Sequence, residues 1–289
     1  MVRPAALAGA LFGSATLALS PVPVAAQSSA SAAIATERAE YREWLLTSPN
    51  SPFAVLAHRR IGTGLTLGPP DAELPLEGVG RQSVTERAGV AWLTDGGKDR
   101  ALPRNRPVPL GKYRLAVAGS PGRSVLVVYR TAPRDPKPPS WFDYSPSHSI
   151  VVRLVPAESP KSRRILASDG VEVEATDAGT IAVTLAGTTT ALSVLRVPDA
   201  TGEESDLEVY FRDETNGKGS YPAGRFVSLI PVGGGGYLFD LNRARNPFCA
   251  YSTVFACPLP WRGNLLPVAV TAGERYDGGG LELPPPGTP

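Results

Sequence analysis

Two cysteines, two histidines and one methionine stand in 289 residues, and each scarcity closes a class of function. Structural and catalytic zinc sites draw three or four ligands from Cys, His and carboxylates. His58, His148, Cys249 and Cys257 are too few and too scattered in the sequence to supply such a set, so no metal and no cofactor is expected. Charged residues make up 19% of the chain, below the usual quarter. The 29 basic and 27 acidic residues nearly cancel, which excludes a nucleic-acid coat as the main role, so no nucleic-acid partner is expected. Beyond the first two dozen residues no apolar run approaches the ~20 residues of a membrane helix, so no membrane span is expected. Nucleophile-elbow and zincin patterns are missing, and Gly62, Gly64 and Gly68 do not have dinucleotide-loop spacing. No repeat of solenoid or propeller length is evident.

What the chain has in quantity is turn chemistry, with Gly 30 and Pro 30. Residues 1 to 26 read as a secretory leader: Arg3 gives the positive start, Ala5 to Leu19 the apolar stretch, and Val24-Ala25-Ala26 a small-residue cleavage site. The mature chain is then expected to begin near Gln27 and to be secreted or periplasmic. In that oxidising setting the even cysteine count favours a Cys249–Cys257 disulfide over two free thiols.

From Glu37 to Thr47 the spacing of Tyr41, Trp44 and Leu45 predicts a helix, which Ser48-Pro49 stops. The period then falls to two. Four short β-like runs, Leu65-Thr66-Leu67, Val90 to Leu93, Tyr113 to Val117 and Val125 to Tyr129, are separated by Gly, Pro and Asp-Gly signals. The proline cluster Pro133 to Pro139 interrupts this pattern, and the charge changes sign there. Residues 37 to 135 hold 15 basic against 10 acidic residues, and those from 136 onward 13 against 17. Runs at Ile150 to Val155, Val171 to Ala175, Thr180 to Leu185, Leu192 to Val197, Leu207 to Phe211, Arg225 to Val232 and Tyr237 to Asn242 follow, with Asp177-Ala178-Gly179 and Gly233 to Gly236 as hairpin loops. The expected fold class is mainly β: two small β-sandwich-like antiparallel domains, 37–135 and 141–277, with one N-terminal helix and a tail from 278 to 289. The stretch Arg100 to Arg134 contains no acid; it is read as a solvated face docked on the acidic second half, with an anionic partner surface as the alternative.

Polar residues concentrate between Asp213 and Glu274. Asn216-Gly217 signals a tight turn in a rigid loop. Period two places Asp240 and Asn242 on one strand face. A four-residue loop at Gly233 to Gly236 would pair Val232 with Tyr237 and bring Arg225 diagonal to Asn242, so that Arg225, Asp240 and Asn242 converge. Such a cluster fits a polar ligand held by a forked guanidinium, and fits equally a set of side chains tying irregular backbone together.

Asp213-x-Thr215-x-Gly217, Tyr221, Gly224-Arg225-Phe226, Asp240-Leu241-Asn242, Asn246-Pro247-Phe248-Cys249-Ala250, Cys257-Pro258-Leu259-Pro260, Asn264 and Ala272-Gly273-Glu274-Arg275 together resemble the bacterial family catalogued as domain of unknown function 1684. The resemblance is strong from Asp213 to Arg275 and looser back to Trp141. It implies a mostly-β fold and a shared polar site, and it implies no reaction. Arg245 stands where the family usually has Tyr, and Trp261 where it usually has Pro. The expected ligand set is Asp213, Thr215, Tyr221, Arg225, Asp240, Asn242, Asn246 and Asn264, in a non-enzymatic protein binding a small polar ligand or an envelope partner. The alternatives are a carboxylate-dependent envelope hydrolase using Asp213 or Asp240 as acid or base, and a purely structural envelope module.

Overall fold

The computed structural model describes residues 24–134, 136–199, 204–258 and 263–278. The predicted leader up to Pro23, Pro260 and Trp261 of the motif region, and the predicted tail from 279 lie outside the described residues.

Helix α1 (Val24–Thr47) starts well before the expected Glu37, because the Ala- and Ser-rich lead contains no breaker and Ala is the best helix former. It buries Ile34 and Leu45. The chain then forms two sheets. One contains β1 (Val55–Arg60), β7 (Val108–Leu110), β8 (Tyr113–Ala118) and β9 (Val125–Tyr129) in the order β1-β9-β8-β7; the other contains β2 (Leu65–Gly68), β3 (Leu74–Pro75), β4 (Gln82–Arg87), β5 (Val90–Asp95) and β6 (Lys98–Leu102) in the order β3-β2-β4-β5-β6. Leu67, Val84 and Leu93 from one sheet pack with Leu115, Val117, Leu126 and Val128 from the other. Strand β9 reads Val-Leu-Val-Val without alternation because both of its faces are covered. Leu126 and Val128 enter that core, while Val125 and Val127, with Val55 and Ala116, pack on Tyr221, Ala223, Cys249 and Phe255 of the later chain.

The later chain forms a three-stranded sheet of β10 (Ser149–Val152), β17 (Ile230–Val232) and β18 (Gly236–Asp240), ordered β10-β18-β17. Its partner sheet holds β11 (Leu154–Pro156), β12 (Ser162–Leu166), β13 (Glu172–Leu185), β14 (Thr188–Pro198), β15 (Ser205–Phe211) and β16 (Arg225–Ser228), ordered β11-β13-β14-β15-β16 with β12 also on β13. Val152 and Phe239 from the first meet Ile181, Val183, Leu192, Val209 and Phe211 from the second in a second core. The protein is thus mostly β, with antiparallel sheets and one N-terminal helix.

Two turn expectations are corrected. Asp177-Ala178-Gly179 is not a hairpin loop but a bulge inside the single long strand β13. A Cβ on Gly179 would meet the Val155 carbonyl oxygen at 2.0 Å, so glycine there serves a close strand approach rather than a reversal. The reversal falls instead at Ala186-Gly187, both at positive φ. The loop after β17 holds three residues, Gly233–Gly235, and Val232 pairs with Gly236, not Tyr237.

Helix α1 lies against residues from the second half. Glu37 pairs with Arg243 at 2.7 Å, Arg38 donates to the carbonyls of Phe142 and Asn242, and Trp44 meets Phe248. Within the basic stretch, Arg123 pairs with Glu172 of β13, whereas Arg104 turns inward to Glu86, Ser124 and two backbone carbonyls.

Candidate functional site

Strand pairing sets the first part of the site. Arg225 lies opposite Phe211 in the β15–β16 ladder, so Asp213, two residues beyond Phe211, falls on the same face. Their side chains form an ion pair at 2.9 Å, both fully buried. Asp213 Oδ1 also accepts from the Thr215 amide at 2.9 Å, the Thr215 hydroxyl at 2.6 Å and the Val270 amide at 3.1 Å. Arg225 donates to the carbonyls of Val270, Ala272 and Glu274, and its guanidinium sits over the rings of Phe211 and Phe142. Burial pulls the Arg225 pKa below its ordinary value, and Asp213 pulls it back up. This pair therefore holds three backbone segments together, and both of its members are consumed in doing so.

Asp240 and Asn242 make a separate knot, and the expected convergence with Arg225 does not occur. The expected single strand from Arg225 to Val232 is broken: Arg225–Ser228 pairs with β15 in the larger sheet, and only Ile230–Val232 pairs with β18. Leu241–Arg243 is a 3-10 turn capped by Asp240, whose Oδ1 accepts from the Asn242 amide at 3.1 Å and side chain at 2.9 Å, while Oδ2 takes Arg243. The outer edge of the Asn242 amide grips Ser145, accepting from its N–H and donating to its C=O, both at 2.9 Å. Asn264 does the same for β14 and β15, accepting from the Ser193 amide and donating to the carbonyls of Ser193 and Tyr210. Tyr221 places its hydroxyl 3.4 and 3.3 Å from the sulfurs of Cys249 and Cys257, which are at disulfide distance with Cα atoms 5.5 Å apart. Burial pushes the Tyr221 pKa up to about 12.

Asn246 differs from these. Its amide N–H donates to Glu274 Oε2 at 2.9 Å and its side chain donates to the Arg275 carbonyl at 3.0 Å, but its Oδ1 is buried with no hydrogen-bond partner. Arg225 Nε also lacks one, but the gap beside it, lined by Phe226 and Pro247, has a volume of ≈ 0 Å³. Asn246 instead lines a cavity of about 230 Å³ with Phe53, Lys137, Tyr251, Glu274, Tyr276 and Asp277. Glu274 is 1% exposed, and desolvation pushes its carboxyl up to about 7 against the downward pull of the Asn246 amide, the Tyr251 hydroxyl and Arg245. The Tyr251 hydroxyl donates to Glu274 Oε1 at 2.5 Å and touches the Tyr41 hydroxyl of α1 at 3.2 Å. Gly273 delivers Glu274 to this place. A Cβ at Gly273 would meet the carbonyl oxygens of Leu241 and Ala244 at 2.6 and 2.8 Å, at a φ of +75°, so only glycine lets the segment press against that turn.

Residues 139–275 match the family model described as Protein of unknown function (DUF1684). This C-terminal part of the chain carries that family's domain. Five solved chains match. One is the solution NMR structure of an uncharacterized protein of Haloarcula marismortui, 37% identical, covering 49% of this chain and 77% of that one, with a TM-score of 0.42. No curated protein matches.

Within the DUF1684 region, all eight expected ligand residues are buried. The fold spreads them over several knots, and only Asn246 reaches the cavity at Glu274. Glu274 stands in the sequence motif without a role, and Tyr251, directly after the Asn246-to-Ala250 run, was not singled out. The available signal was the Ala-Gly-Glu run: an acid directly after a glycine in an otherwise apolar segment is an acid being placed. Arg245 sets its guanidinium 4.1 Å over the Tyr41 ring, a cation–π contact with α1.

Proposed function

We propose that this DUF1684 protein is a non-enzymatic binding module that takes a small polar ligand in the cavity at Asn246, Tyr251 and Glu274. The observation that carries this reading is Asn246 Oδ1: a buried acceptor left unpaired costs about 1–3 kcal/mol, and this one belongs to a side chain lining a cavity of about 230 Å³. A ligand donor would satisfy it. The other knots support the reading by being closed. Asp213 is committed to Arg225 and Asp240 to Arg243, which leaves neither carboxylate available as the acid or base of a hydrolase.

We place the module outside the cytoplasm, on the leader-like first 26 residues and the Cys249–Cys257 pair. The two separate apolar cores support a division into two domains near the Pro133 to Pro139 bridge. The test is a thermal-shift screen of the purified protein against small amines, sugars, carboxylates and metal ions. Ala250 also lines the cavity, so Ala250→Phe should abolish the response to any hit while leaving the circular dichroism spectrum unchanged. Hits that persist in that variant would overturn the assignment to this cavity.

A further inference from the structure

Three acidic residues are buried as whole residues among the described ones, Asp213, Asp240 and Glu274, while Glu208 buries one carboxylate oxygen on a half-buried residue. Burying an ionised carboxylate is tolerated when a cation accompanies it. Arg225 accompanies Asp213 and Arg243 accompanies Asp240. Glu274 has no ion-pair partner among the described residues; it is met only by the Asn246 amide and the Tyr251 hydroxyl, both neutral donors. Arg245 and Arg225 act on it through their charge without pairing with it: Arg245 is held over the Tyr41 ring and Arg225 is committed to Asp213. Unlike the two paired acids, Glu274 lines a cavity.

We propose that the missing cation is the ligand: a small compound bearing a primary ammonium group, seated between Glu274 and Asn246 Oδ1. An ammonium carries three donors and no acceptor, which suits the Glu274 carboxylate and the unpaired Asn246 Oδ1, two acceptors on residues that line the same cavity. The side walls suit it too, since Phe53, Tyr251 and Tyr276 border the same cavity and aromatic faces attract cations. At the rim stand Lys137 and Asp277. Asp277 is already engaged by Ser140 and Arg275, whereas Lys137 is exposed and could receive an anionic group at the far end of the ligand, as in an amino acid zwitterion. This inference rests on the cavity reading above and narrows it to one chemistry.

Ethanolamine and ethylene glycol differ only by an ammonium for a hydroxyl, so together they isolate the charge. The full chain is titrated with each at pH 8, in a phosphate buffer free of amines and at constant ionic strength, with both melting temperature and calorimetric binding recorded. A four-atom probe binds no tighter than tens of micromolar at the best known ligand efficiency, so titration to about 10 mM is required. Ethanolamine should raise the melting temperature and show saturable binding, and ethylene glycol should do neither. Glu274→Gln, which keeps the shape and removes the charge, should lose the ethanolamine response at least tenfold while its unliganded melting temperature at pH 8 stays at or above that of the parent. Equal responses to both probes, or an ethanolamine response retained in Glu274→Gln, would overturn the ammonium assignment. Saturable binding of ethylene glycol alone would overturn it and leave the cavity reading standing. Silence with both would also overturn it, and the cavity reading would fall separately only if the wider screen returned no hit sensitive to Ala250→Phe.

Discussion

Replacing Glu274 by Gln should reshape the pH dependence of stability in a definite direction. The folded-state carboxyl titrates at about 7, raised from an ordinary 4.5 by desolvation. Below pH 4.5 the group is neutral in both the folded and unfolded chains, and the stability linked to holding that proton is fully present. As pH rises toward 7 the unfolded chain gives the proton up while the folded chain still holds it, so that stability is lost progressively; above about 7 nothing further changes. At 1.36 kcal/mol per pH unit, the gap corresponds to about 3 kcal/mol, a large part of a typical total of about 5–15 kcal/mol. Gln has no such titration. Urea unfolding of both proteins at closely spaced pH values from 5 to 8, extrapolated linearly to water, should therefore show the variant gaining on the parent by about 2–3 kcal/mol across the range, whatever its offset at pH 5. Taking the difference is necessary because other groups titrate in the same window. His58, pulled down to about 4 mainly by burial, contributes with the opposite sign, its stability lost as pH falls, whereas Glu208, pushed up to about 7, contributes with the same sign. Both are present in each protein and cancel. A difference that stays flat from pH 5 to 8 would show that Glu274 titrates as an ordinary exposed acid, and the argument from its burial would fail.

Arg225→Met should destabilise the protein by about 3–5 kcal/mol, because it strands the buried Asp213 carboxylate. Adding Asp213→Asn should recover much of that loss, since Oδ1 can still accept from Thr215 and Val270; urea unfolding showing less than about 1 kcal/mol for the single variant would refute a structural role for the pair. Reduction of the Cys249–Cys257 bond should cost about 2.6 kcal/mol by the chain-entropy relation for a nine-residue loop, which lowers the melting temperature by roughly 5–10 °C. Mass spectrometry finding two freely alkylatable thiols in protein isolated from its native compartment would overturn the bond.

Particular residues show where sequence reading succeeded and where it stopped. Between Leu65 and Tyr129 the strands β2, β5, β8 and β9 were legible because turn chemistry punctuates them and their apolar content is high, whereas β3, β4, β6 and β7, shorter or more polar, were not. The end of α1 at Thr47 was legible because Ser48-Pro49 cannot continue a helix. Its beginning was not, since an Ala- and Ser-rich lead has no amphipathic period to read. Asp177-Ala178-Gly179 carries the composition of a turn, yet only the neighbouring Val155 carbonyl makes it a bulge. The break between Ser228 and Ile230, which sends Arg225–Ser228 into the ladder with β15 and leaves only Ile230–Val232 for β18, decided that Arg225 would meet Asp213 and not Asp240.

The sequence by itself determined the β-rich class, the single N-terminal helix, the pairing of the only two cysteines and the family match of residues 139–275, since these follow from local composition, spacing and motif. Tertiary structure decided which buried acid has a cation and which does not. That distinction depends on distances between residues far apart in the chain: Asp213 and Arg225 are drawn together by a strand ladder, whereas Glu274 is placed by Gly273 against Asn246 and forms no ion pair with a guanidinium among the described residues.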